Sequence, residues 1–265
     1  MTLTLMLCSH KATLSQNTGE KQTYLTYLHQ FAQGDFFQVQ TDHLPAFVWV
    51  QLDVSLRPAL IYLTKQNWIF SIPFNQEREW PYPVSAFSGR RHYATIRYAT
   101  TQEIQLSRNL AENSHDLKQA TGSYPHATAN AETRGELVFQ ARNAIDGFIA
   151  NTSHGSFPFQ SWGIDQRADA EFKLDFGRPI HLEQIILILR ADYPHDSYWS
   201  TVHLKLSTQH TFILKLKKTV RPQKFTIATD NVEWLILKNL HKELDNSAFP
   251  ALTEIQTFGH DQINV

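Results

Sequence analysis

From Phe36 onward the apolar positions recur every second residue. Phe37-Gln38-Val39-Gln40 alternates, and Phe47 to Leu52 is a β-branched and aromatic run. Leu60 to Leu63, Trp68 to Ile72 and Tyr93 to Tyr98 extend the pattern, with Pro45, Pro58, Pro73, Pro81 and Pro83 punctuating it. Short strands separated by turn signals predict a sandwich or barrel. The chain before Phe36 is less regular. Residues 1–20 read as a loose lead-in, and Tyr24, Leu25, Tyr27, Leu28 and Phe31 fall at helical spacing before Gly34, which predicts a short helix.

Between Thr100 and Gly122 the chain turns polar, which sets a domain boundary there: a β-rich unit over 1–105 and a second unit over 106–265. The second opens on Thr133-Arg134-Gly135-Glu136, a capping-box pattern that predicts helical turns over Leu137 to Ala144, ending at Asp146-Gly147. Strand patterns then return at Ala170 to Phe176, Gln184 to Arg190, Val202 to Leu206 and Phe212 to Leu216. Phe225 to Ile227, Trp234 to Leu237 and Ile255 to Gly259 complete the set. No long helical pattern separates them, so an antiparallel arrangement is expected. The fold class read from the pattern is all-β, with two β-sandwich domains.

The 265 residues are enough for a full core without disulfides. With one cysteine, Cys8, no intrachain disulfide can form. The formal net charge of −1 gives no bulk attraction to nucleic acid or to an anionic membrane, and neither is expected as a partner. The apolar start, Met1 to Cys8, has no preceding Lys or Arg and makes a poor signal peptide. Ile185 to Leu189 is too short to span a bilayer. A cytoplasmic location is the expectation, although a mature secreted domain would carry the same pattern. The oligomeric state is not written in the sequence.

Five ordered matches in the second half resemble the discoidin domain, the coagulation-factor type C fold of the galactose-binding-like group. They are Asn109-Leu110-Ala111, Ala144-Ile145-Asp146-Gly147 with Ser161-Trp162, Phe172 to Gly177, Ile185 to Arg190 with Asp192, and Thr253 to Gly259. The resemblance implies a jelly-roll sandwich that binds carbohydrate through strand-end loops. More particularly, the chain resembles bacterial two-domain proteins of this type. The resemblance also implies a calcium loop, with Asp146 and Glu254 as hard oxygen ligands. The segment between Gly147 and Trp162, Phe148 to Ser161, is longer here than the family's, which alters the setting of Asp146. The first half matches no family motif.

The densest polar cluster is Arg190-Ala191-Asp192-Tyr193-Pro194-His195-Asp196-Ser197-Tyr198-Trp199, directly after the most apolar strand. Arg190, Asp192, His195 and Asp196 offer directional donors and acceptors for hydroxyls, and Trp199 offers a flat face for a sugar ring. Arg190 ends a buried row and needs a carboxylate, with Asp192 the nearest in sequence. A second rim is expected from His126, Glu132, Arg134, Arg142, His154 and Trp162. Two close cations there would lean toward an acidic or sulfated sugar. Zn²⁺ on His126, His154 and His195 with Asp192 or Asp196 is a lesser alternative, without a His-x-x-x-His pair behind it. Known nucleophile and phosphate-loop motifs are missing, so catalysis would fall to carboxylate pairs such as Glu132 with Asp192 or Asp196. Three roles remain open: carbohydrate binding, a glycoside-active enzyme, or a protein-interaction module using an exposed tip at Phe157-Pro158-Phe159.

Overall fold

The computed structural model describes residues 1–262. The first half contributes β1 (Thr2–Cys8), β2 (Thr13–Glu20), β3 (Gln22–Tyr27), β4 (Phe36–Thr41), β5 (Ala46–Gln51), β6 (Ala59–Leu63), β7 (Asn67–Ser71) and β8 (His92–Tyr98). The second contributes β9 (Arg108–Asn109), β10 (Ser123–Tyr124), β11 (His126–Ala129), β12 (Trp162–Gly163), β13 (Phe172–Leu189), β14 (Trp199–Leu206), β15 (Thr211–Lys215), β16 (Gln223–Lys242) and β17 (Ala251–Asp261). The fold is all-β. Sheets β2-β1-β4-β7 and β10-β6-β5-β8-β3 face each other around one apolar core, which includes Leu5, Val39, Val48, Trp68 and Phe70. A third sheet, β12-β17-β13-β16-β14-β15, folds around a second core that includes Trp162, Phe172, Leu187, Trp199 and Leu237. All strand pairings are antiparallel.

The lead-in and the first helix are not found. Residues 2–8 and 13–20 are a strand pair, in which Leu3, Leu5 and Leu7 point into the core by simple alternation. Residues 22–27 are also a strand. Thr23 and Leu25 face inward there, while Tyr24 and Leu28 are exposed, so the helical spacing of the aromatics is coincidental. The turns at 133–144 are three short 3₁₀ segments rather than a capped helix. The Thr133 hydroxyl accepts from Asp165 N–H, and Glu136 pairs with Arg134 instead of reaching back to the chain.

Runs that read as separate strands are joined. Residues 172–189 form one strand whose register shifts near Ile180 and Leu182, and 223–242 form another. Such bulges bend a strand, so one segment can serve both layers of a sandwich.

The halves meet over Arg178. Its side chain is buried, with Nε donating to Asp261 Oδ1 at 2.5 Å and Nη1 donating to the Phe176 carbonyl. The guanidinium lies 5.0 Å from the Phe47 ring and 5.1 Å from the Tyr62 ring, both of the first half. Arg108 donates to the other oxygen of Asp261 at 2.6 Å. At Gly177, φ is +67° and a Cβ would lie 2.4 Å from the Tyr124 ring, so glycine is required for this close approach. Replacing Arg178 by Met leaves a buried carboxylate short of a partner. The expected loss is about 3–5 kcal/mol in denaturant unfolding, and a loss below about 1 kcal/mol would show that the junction does not depend on this pair.

Candidate functional site

Arg190 leaves the end of β13 into a buried ion pair, and its partner is Asp196, not Asp192. Arg190 Nε donates to Asp196 Oδ1 at 2.7 Å, with both side chains sealed from water. Five residues of loop lie between them, and the chain curls back so that Asp196 Oδ2 accepts Asp192 N–H at 2.7 Å. Arg190 Nη2 also donates to the Phe249 carbonyl at 3.0 Å, and its guanidinium lies 5.7 Å from the Phe139 ring. One buried pair thus holds the 190–198 loop, the 243–250 loop and the 3₁₀ turns together. Ser197 and Tyr198 strengthen the first of these ties through Asp245 and Glu243.

Asp192, freed from Arg190, binds imidazoles. His154 Nδ1 lies 2.5 Å from its Oδ2, and His195 Nδ1 lies 3.6 Å away. The hydrogen bond with His154 holds the Asp192 carboxyl below the ordinary carboxylate range. With each Nδ1 turned to Asp192, the Nε2 atoms remain for another partner. His154 is carried by the long 148–161 segment, which is fastened to the strand end by Asn151 bonds to Leu189 and Ala191.

These loops enclose a cavity of about 130 Å³. Arg134, His154, Arg190, His195 and Asp196 all line it, so five of the eleven expected rim residues come together here. Arg134 projects into water, paired through Nε and Nη2 with Glu136. Phe249 stands at the opening with 41% of its surface exposed. Arg134, Asp165 and Gln166, all lining the cavity, have φ of 51°, 52° and 57°. Left-handed non-glycine residues each cost on the order of 1 kcal/mol, and they gather at binding sites more than elsewhere. Phe249, Asp165 and Gln166 were not singled out from the sequence. The one signal for Phe249 was an aromatic directly before a proline in a polar inter-strand loop.

Other expected site residues lie elsewhere. Trp162 and Trp199 are 0% and 1% exposed, and they pack on each other in the second core with ring centroids 6.0 Å apart. Neither can offer a face to a ligand. His126 is buried against Asp116 at 2.7 Å, and this bond carries the imidazole above its usual pKa against the opposing effect of burial. Glu132 binds Lys118 and the Ala141 N–H, and with Arg142 it lines a different cavity. Arg142 also donates to the Tyr82 hydroxyl at 2.6 Å, across the junction. Glu132 therefore does not share a cavity with Asp192 or Asp196. The Phe157-Pro158-Phe159 tip is half-buried, with Phe157 N–H donating to the Trp80 carbonyl and its ring packed edge-on against Phe148.

Asp146 and Glu254 are neighbours beneath the 146–148 turn. Both Asp146 oxygens already accept N–H donors, from Phe148 and Gln160, and Glu254 Oε1 accepts from Gly147. Arg57 of the first half, paired with Glu112 at 2.7 Å, sits against the same turn. Only Glu254 Oε2 lacks a partner. Ca²⁺ takes about six to eight oxygens, and these residues do not fit it. Among the described residues no group of three or more His, Cys, Asp or Glu side chains converges as a metal site, and this includes the imidazole set considered for Zn²⁺. Burial pushes Asp146 up to about 7 and lifts Glu254 well above the carboxylate range.

No protein-family model and no curated protein matches the sequence. Solved structures do resemble the fold. The lectin-binding domain of lectinolysin, complexed with Lewis b, matches at 14% identity and TM-score 0.44, over 58% of this chain and 98% of that one. A fucose-binding module of Streptococcus pneumoniae matches at 12% identity and TM-score 0.41, over 58% and 99%. A family 32 carbohydrate-binding module of C. perfringens, complexed with galactose, matches at 13% identity and TM-score 0.38, over 50% and 91%.

Two outcomes follow. Trp199→Ala should cost about 3–5 kcal/mol in an unfolding titration, as for other buried Trp truncations; a cost near zero would return Trp199 to the surface. Asp146 supplies the second. Unfolded, it loses its proton near 3.8; folded, near 7. Within that window the folded form keeps a proton that the unfolded form has released, so stability falls as pH rises and levels off above 7. Asp146→Asn removes this fall, since Gln160 can turn its unpartnered Oε1 toward the new amide. Relative to the native chain, the variant's Tm should rise by at least about 2–4 °C between pH 5 and pH 8, and a constant difference would contradict the assignment.

Proposed function

We propose that the chain recognises carbohydrate in the cavity at the end of β13, without turning it over. The observation that carries this reading is the pairing of an exposed aromatic ring, Phe249, with fixed polar groups around one small opening. A sugar ring presents C–H groups on its faces and hydroxyls on its edge. The first suit the Phe249 ring, and the second suit imidazole Nε2 atoms and guanidinium N–H groups held in place by carboxylates. Loops fastened by a buried ion pair keep these groups in position before a ligand arrives, which lowers the entropic cost of binding.

The state of the carboxylates supports binding without turnover. Glycoside hydrolysis uses one carboxylic acid and one free carboxylate flanking the bond. Here Asp192 is engaged by His154 and His195, Asp196 is engaged by Arg190, and the third nearby carboxylate, Asp165, accepts the Arg134 N–H.

A glycan array followed by calorimetry tests the reading. Phe249→Ala and Arg134→Asn should each weaken binding by about tenfold, or about 1.4 kcal/mol, with Tm within about 2 °C of native, because both side chains reach water. Asparagine is chosen at 134 because it tolerates the left-handed backbone. Absence of any glycan binding at millimolar concentrations would overturn the proposal, and so would release of free sugar from a bound glycan.

A further inference from the structure

We infer that the ligand is a neutral oligosaccharide of at least two rings, with its second ring in a groove that continues the cavity; this rests on the reading above. The groove has a volume of about 510 Å³ and shares Ile164, Gln166, Ala248 and Pro250 with the cavity. The two therefore adjoin across these four residues. Size supports the extension. Small-molecule sites commonly enclose roughly 300–1,000 Å³. The cavity alone falls short of that range, and the groove lies within it.

The charge comes from the hydrogen-bond census. Lys242 and Arg167 line the groove, yet neither cation is free. Lys242 Nζ makes three bonds, to the Glu243 carbonyl, the Asp245 carbonyl and Asp245 Oδ1, which uses all three of its donors. Arg167 is clamped by Asp169 through Nε and Nη2, and its Nη1 donates to the Asn130 carbonyl. In the cavity the same matching holds: Arg134 with Glu136, Arg190 with Asp196, and the two imidazoles on Asp192. Each Lys and Arg lining the cavity and groove already has its own carboxylate, so an anionic sugar would meet no surplus Lys or Arg charge. This overturns the leaning toward an acidic or sulfated ligand.

The groups left to bind are neutral amides and imidazole. Gln166, shared by cavity and groove, has no side-chain partner among the described residues. Asn239 gives one amide contact, to His203 Nδ1 at 3.2 Å, and keeps its carbonyl oxygen. His241 is exposed at the end of β16. Amides and imidazole can both donate to and accept from hydroxyls, which suits an uncharged polyol.

The test is calorimetry with galactose, N-acetylglucosamine and galacturonic acid, each as the monosaccharide, the dimer and the tetramer. A neutral dimer is expected to bind at least about tenfold tighter than its monomer, and galacturonate oligomers no tighter than the neutral ones. His241→Ala with Asn239→Gly should remove the dimer's gain and leave monomer affinity unchanged. Glycine at 239 keeps the left-handed backbone there, at φ 47°. A dimer no tighter than its monomer, a gain that survives both substitutions, or a preference for the uronate series overturns the extension while the cavity reading stands. If no sugar of either series binds, the cavity reading falls as well.

Discussion

The site depends on one buried ion pair, Arg190 with Asp196. Two charges withdrawn from water repay their desolvation only when the geometry is good and further hydrogen bonds absorb what remains of each group. Here the spare donors and acceptors are spent on backbone. Asp196 takes the Asp192 N–H, and Arg190 takes the Phe249 carbonyl. The pair's requirement for satisfaction is what fixes two loops that the strands alone would leave free. Phe139 beneath the guanidinium brings in a third. A hydrophobic pair of similar volume could fill this space with equal stability, yet it would release the Asp192 and Phe249 backbones. The ion pair is therefore better understood as a device for position than for stability.

The same principle recurs across the chain. Arg178 and Arg108 converge on the buried Asp261, and Phe47 and Tyr62 cover the first of them from the other half. The Lys and Arg side chains around the cavity and groove are consumed by structure. That leaves neutral amides, imidazoles and one aromatic ring around the cavity and groove, although the residue composition there reads as charged. Counting Arg and Asp in a loop overstates the charge available to a ligand when each Arg has its own carboxylate within about 3 Å.

Alternation made most strands legible, because one buried face imposes a period of two wherever a sheet covers a core. It also placed Arg190 at a strand end, where it lines the cavity. It failed where tertiary context intervenes. Nothing local announces that residues 172–189 are one bent strand, since a bulge leaves the apolar pattern broken in the middle. The helical spacing at Tyr24 to Phe31 mixes an exposed strand residue, Tyr24, with Tyr27 and Phe31, which pack on the first core. Trp162 and Trp199 are amphipathic, and only their packing against each other shows that they belong to the core. The partner of Arg190 was misjudged because proximity in sequence favoured Asp192, whereas the loop curls back to bring in Asp196. Phe249 comes from a loop nearly sixty residues away and meets Arg190 only through its backbone carbonyl.

The claim at the centre of this account is that a sugar seats itself over Phe249, among groups arranged by the Arg190–Asp196 pair. Amide and side-chain NMR of the full chain, titrated with a sugar that binds on the array, tests it most directly. The account predicts that the Gln166 side-chain amide and the His154 and His195 ring resonances shift together with Phe249. The indole N–H of Trp162, held by the Ala131 carbonyl in the core, should stay in place, as should that of Trp199. Shifts centred instead on Glu132 and Arg142, or on the first half of the chain, would contradict it.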